Sequence, residues 1–267
     1  MIWRRRDPTP PVFPDEEPTV VVRPPAPPPT ALAWLTRGAL AAVDASTVVP
    51  VLNYLAFGTL AREVGLGLPE TVLVAAGVWW VSGQVVLATA IQHNMMLAPT
   101  ALSVFLAGIP LMPMVLSVLP LFGGRARRLW LSIPLAQTVA SVPWATAQRR
   151  LPALPEAARP VYFAGYAAAF MGACVAAAIL AHLLAAGLPG PVRALLVFVL
   201  PMHLLFAALG SARDATAWIA IVLGLVLGPA LRPWLADFTL MGVGLGAGTL
   251  AFFAVRLWRR LFPRVVP

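Results

Sequence analysis

The sequence contains no lysine, a single cysteine and only ten acidic residues among its 267 positions. One cysteine, Cys174, excludes an intramolecular disulfide and any cysteine-based metal cage. It lies in an apolar run, where it is expected to behave as a small core residue. Catalytic signatures are missing too: there is no G-x-S-x-G, no H-E-x-x-H, no Walker loop and no pair of acids within an apolar segment. His93 falls in a polar break and His182 near a segment end, neither with metal-ligand company. The expectation is therefore no catalytic residues, no metal and no cofactor. No cleavable signal peptide is expected either, because prolines and acids follow the basic residues 1–6 where an apolar stretch would be needed.

What is present is apolar. Hydrophobic residues make up 60% of the chain, charged residues 11%, and the mean hydropathy is +0.85. A soluble domain carries about 25% charged residues, so this chain has too little polar surface to cover its own apolar side chains. The lipid bilayer has to cover them. Because lipid offers backbone groups no partner, the spanning elements must be helices, and the fold class is all-α: a polytopic helical membrane protein. The net charge of +9 comes entirely from arginine. These arginines cluster in short groups flanking apolar runs, which serves orientation in a membrane and argues against nucleic acid as a partner.

Two regions separate by composition. Residues 1–30 are rich in proline, with Pro24, Pro25, Pro27, Pro28 and Pro29 the densest run, and no hydrophobic period. Such a segment is expected to be a disordered, partly polyproline-II tail. Residues 31–262 form the transmembrane domain. Charge spacing divides it into seven or eight hydrophobic segments, near 31–61, 70–91, 98–121, 129–147, 161–186, 192–209, 215–231 and 237–257, most close to the ~20 residues of a spanning helix. Two are expected to be broken or re-entrant. As one helix, 31–61 would run to about 46 Å, and it carries Pro50 and Asn53 mid-way. The other, 129–147, contains Pro134, Gln137, Thr138, Ser141 and Pro143. With both entering and leaving on one side, the arginine-rich segments and both termini fall on one face, cytoplasmic by the positive-inside rule. The expected location is a membrane that the chain crosses several times.

A few polar residues stand out in apolar surroundings. Asp44 lies seven positions after Arg37, on the same face if the helix is continuous. It is either a proton or substrate-amine site, or a structural ion pair or boundary charge. Gln84, in Ser82-Gly83-Gln84, must find hydrogen bonds, from a substrate or from a neighbouring helix. His203, after Pro201, either titrates or bonds a neighbouring helix as a neutral ring. With Pro50, Asn53, Gln137 and Thr138, these residues outline a candidate substrate pathway, since discontinuous helices commonly hold transporter substrates. Gly242, Gly244, Gly246 and Gly248 invite a phosphate-loop reading but lack a preceding strand and the lysine, so they are expected to serve tight helix packing.

The run from Val49-Pro50 through Ala56-Phe57-Gly58-Thr59-Leu60-Ala61-Arg62-Glu63-Val64-Gly65-Leu66, then Ser82-Gly83-Gln84, Val197-Phe198-Val199-Leu200-Pro201 and the glycine-spaced last segment resemble the AzlC family in order and spacing, over roughly residues 38–258. This family comprises the large subunits of bacterial branched-chain amino-acid exporters. The resemblance implies export of small amino acids as substrates, with a small AzlD-like membrane subunit as partner, and carries Gln84 over. The chain departs from the family in two places. It reads Ala107-Gly108-Ile109-Pro110 where members usually carry an acid or Asn followed by Arg-His, and Ala136-Gln137-Thr138 where they commonly carry Thr-Asp-Glu. The alternative reading is a non-transporting membrane scaffold or assembly subunit that has lost that polar site.

Overall fold

The computed structural model of the chain describes residues 30–127, 129–235 and 238–261, so the tail expected over 1–30 lies, apart from Thr30, outside the described residues. Every described element is helical: α1 Ala31–Ala41, α2 Ala45–Glu63, α3 Leu68–Gly77, α4 Val81–Gln92, α5 Leu97–Gly108, α6 Leu111–Val118, α7 Leu129–Gln137, α8 Ser141–Arg150, α9 Arg159–Leu184, α10 Gly190–Ser211, α11 Ala215–Leu235 and α12 Thr239–Leu261, with short 3-10 turns between some of them. The outer surface is apolar, with Phe105, Leu116, Phe206, Val226 and Phe253 each more than half exposed. Water would not tolerate so continuous a display.

Four helices are long and apolar enough to cross a membrane on their own: α9, α10, α11 and α12. Two bent pairs raise this to six at most, α1 with α2 (bent by 70°) and α5 with the helix that follows it (47°). The count therefore falls short of the seven or eight segments expected. The difference lies in the first half of the chain, where the apolar runs are more fragmented than their hydropathy suggests. The run 31–61 is broken as expected, but at residues 42–44 rather than at Pro50, which sits inside α2. The run 129–147 is broken at 138–140. The run 70–91, expected as one helix, is also broken, at residues 78–80, into the ten-residue α3 and the twelve-residue α4.

Helix α9 is the spine. It packs against α1, α2 and α3, and small residues let the backbones meet. A Cβ on Gly38 of α1 would collide with the Tyr162 carbonyl, one on Gly165 of α9 with the Leu35 carbonyl, and one on Gly58 of α2 with the Ala178 carbonyl. Close backbone approach at small residues is how helices associate where lipid removes the hydrophobic drive. Along the same face runs an aromatic ladder. Tyr54 meets Trp79 (ring centroids 5.9 Å apart), Trp79 meets Phe170 (5.9 Å), Phe170 stacks on Tyr166 (6.0 Å), and Tyr166 stacks on Phe163 (6.4 Å). Cys174, fully buried, belongs to this core as expected.

The glycines of α12 behave differently. A Cβ on Gly242 would press only on the Leu235 side chain, and one on Gly244, Gly246 or Gly248 would meet nothing within 4 Å. The tight packing expected there is found instead along α9. Two substitutions separate the cases. Gly58→Ala should destabilise the purified protein by about 1–3 kcal/mol, because a backbone carbonyl cannot step aside. Gly246→Ala should be neutral or stabilise by up to about 1 kcal/mol, the ordinary gain from replacing a helical glycine. Thermal unfolding in detergent reads both; equal effects would refute the assignment.

Candidate functional site

The breaks in 70–91 and 129–147 meet, and each depends on the other for hydrogen bonds. A helix end leaves its last carbonyls and first N–H groups without intrahelical partners, and in hydrocarbon each unpaired group costs several kcal/mol. At the end of α3, the Gly77 carbonyl accepts from Gln137 Nε2 at 2.8 Å, the Val78 carbonyl from Gln84 Nε2 at 2.8 Å, and the Ala75 carbonyl from the Tyr54 hydroxyl at 3.3 Å. At the end of α7, the Thr138 hydroxyl donates to the Leu135 carbonyl at 2.8 Å, and the Thr138 carbonyl accepts from Trp79 Nε1 at 3.0 Å. Side chains thus serve several carbonyls at the ends of both breaks, and backbone N–H groups serve others, Val78 on Val74 and Val139 on Ala136.

The N–H ends are treated differently. Helix α4 begins at Val81 after an extended Trp80, and α8 begins at Ser141 after an extended Ala140; no side chain caps either start. Trp80, Val81, Ala140, Ser141 and Val142 all border one cavity of about 190 Å³. Trp80 also brings an indole N–H that is buried without a partner. Helix α2 lines the cavity with Ser46, Val49, Pro50, Asn53 and Tyr54, and Trp79, Leu111, Phe170 and His203 complete it.

The predicted pathway residues divide into three groups. Pro50, Asn53 and His203 line the cavity. Gln84, Gln137 and Thr138 do not; they hold the broken helix ends that form its walls. Gln84 uses its Nε2 on the Val78 carbonyl, while its Oε1 is buried without a partner. Asp44 stands apart. It does not continue α1 above Arg37 but caps α2, its Oδ1 accepting from the Ser46 N–H at 2.9 Å, and its Oδ2 lies 3.9 Å from Arg150 Nη2 with both side chains close to half exposed. Arg37 lies instead over the Trp34 ring, 4.9 Å from its centroid. Outside the cavity, the buried His182 ring bonds the Thr71 hydroxyl at 3.0 Å, and His93 lies 3.2 Å from Arg232. Among the described residues no cluster of three or more His, Cys, Asp or Glu could hold a metal.

Several lining residues were not singled out in advance: Trp79, Trp80, Ser46, Ala140 and Val142. The available signal was the Trp79-Trp80 pair, two indole donors between Gly77 and Gly83 in an otherwise apolar run. Trp79→Phe removes the donor to the Thr138 carbonyl while keeping the aromatic bulk. An orphaned buried acceptor costs about 1–3 kcal/mol, so thermal unfolding of this variant should show that loss. An unchanged melting temperature would mean the breaks do not depend on each other.

A family model described as AzlC protein matches residues 47–188, more than half of the chain, a span that holds every lining residue except Ser46 and His203. No curated protein and no solved structure matches.

Proposed function

Since the chain belongs to the AzlC family, we propose that it is a secondary membrane transporter exporting small amino acids, branched-chain ones foremost, through the cavity at the two breaks. The observation that supports this most is the pairing of those breaks. Irregular backbone at membrane depth is tolerated where protein buries it or water lines it, and substrate sites of secondary transporters are built at such discontinuities. A cavity of about 190 Å³ suits a small solute rather than a peptide or a lipid. The described residues carry no nucleotide-binding loop, and on this reading an ion gradient, the substrate gradient or a partner drives export. The protein resides in a bacterial inner membrane with both termini cytoplasmic, and a small AzlD-like subunit is its partner.

The reading is tested by efflux from cells preloaded with labelled amino acids, with the chain expressed alone and with a candidate small subunit. Faster loss of leucine, isoleucine, valine or methionine is expected. No change for any amino acid, with the protein shown to be in the membrane, would favour the scaffold alternative. In the same assay Asp44→Asn keeps the cap on α2 and removes only a half-exposed charge pair, worth about 0–1 kcal/mol. Efflux within about twofold of the parent is expected; abolished efflux would restore Asp44 to the pathway.

A further inference from the structure

The cavity is chemically two-sided. Helices α4 and α8, twelve and ten residues long, both start on it without caps. An uncapped helix start presents free N–H groups and the positive end of the helix dipole, and such ends bind carboxylates. Trp80, which also borders the cavity, carries an indole N–H buried without a partner. Helix α2 supplies the opposite chemistry. Asn53 is 2% exposed, lines the cavity, and its Oδ1 has no partner. One turn before it, Pro50 has no N–H to give, which leaves the Ser46 carbonyl without its helical donor; both residues border the same space. The rest of the lining, with Val49, Leu111 and Phe170, is apolar. Buried polar groups left unpaired are costly, and a ligand that supplies an anion to one set and a cation to the other removes that cost.

We propose that the cavity clamps the zwitterionic head of an apolar α-amino acid, its carboxylate on the starts of α4 and α8 and its ammonium on Asn53 Oδ1 and the Ser46 carbonyl. This inference rests on the cavity being the substrate site. It fixes which part of the solute each helix recognises, and it makes both charges of the head necessary. Asn53 and the turn at Ala140 are then the residues that set specificity.

The test is direct binding of labelled leucine to the full chain in lipid nanodiscs. Competitors are leucinamide, which lacks the carboxylate, and isocaproate, which lacks the ammonium. Each lost charge should weaken binding about tenfold or more, the size expected for charged hydrogen bonds. This series uses the unmutated protein, so it does not depend on any variant folding. Two variants then assign the ends. Ala140→Asp ties a carboxylate to the start of α8. It should weaken leucine and isocaproate about tenfold while leaving leucinamide unchanged, and the added cap should hold or raise the melting temperature. Asn53→Leu should weaken leucine and leucinamide but not isocaproate. Leucinamide competing as well as leucine, or folded Ala140→Asp binding leucine unchanged, would overturn the clamp and leave the transport reading standing. Binding of none of the three by the unmutated protein would remove both.

Discussion

A peptide group inside hydrocarbon has no water to fall back on, and the interior of this protein is arranged around that constraint. Two helices interrupted within an apolar environment leave end groups of the backbone that a continuous helix would have paired. The chain meets this by bringing the breaks together. Trp79 from one interruption serves the Thr138 carbonyl of the other, and Gln137 from the second serves Gly77 of the first. Neither break is satisfied alone, so each fixes the position of its partner. The economy is selective: carbonyl ends receive donors from side chains, whereas the N–H ends of α4 and α8 open uncapped onto the cavity. Leaving donors unmet on one side of a cavity and an acceptor, Asn53 Oδ1, unmet on the same space gives the site a polarity that needs no charged side chain.

The spine explains why the breaks lie where they do. Trp79 is clamped between Tyr54 of α2 and Phe170 of α9, which holds its indole nitrogen toward Thr138. Tyr54 and Phe170 in turn sit where α2 and α9 are locked by the contact of Gly58 with the Ala178 carbonyl. The close helix contacts therefore act on the site through an aromatic relay, and dispersion between large rings positions hydrogen bonds that the breaks need. A methyl group added at Gly58 displaces the lever at its fulcrum.

Much of this was legible in the sequence, and the illegible part has a consistent cause. The long second-half helices follow directly from apolar runs bounded by arginines, and α9, α10, α11 and α12 lie where charge spacing put them. In the first half, proline is a poor guide to interruption. Pro50 and Pro134 sit inside α2 and α7, while the break at 78–80 contains neither proline nor glycine. That break is stabilised by residues distant in sequence, Gln137 above all, and no local pattern reports such a partner. Asp44 was misplaced for a different reason. Helical periodicity carries seven residues only through an unbroken helix, and an acid three residues before Thr47 is equally the start signal of a new one. Of the seven residues picked as polar or helix-breaking groups in apolar runs, Pro50, Asn53 and His203 border the cavity; which of them do so depends on tertiary geometry.

An amide at position 137 has a physical role that an acid would not fill. An ionised carboxylate can only accept hydrogen bonds, whereas an amide also donates. Gln137 uses that donor on the Gly77 carbonyl, a contact an aspartate could not make without first binding a proton. The position in this chain therefore closes the two breaks on each other rather than presenting a charge to the interior. A neutral amide makes this contact without the cost that an ionised group meets in apolar surroundings. At this position, then, a neutral amide joins the two breaks, and the polar groups bordering the cavity belong to the backbone as much as to side chains.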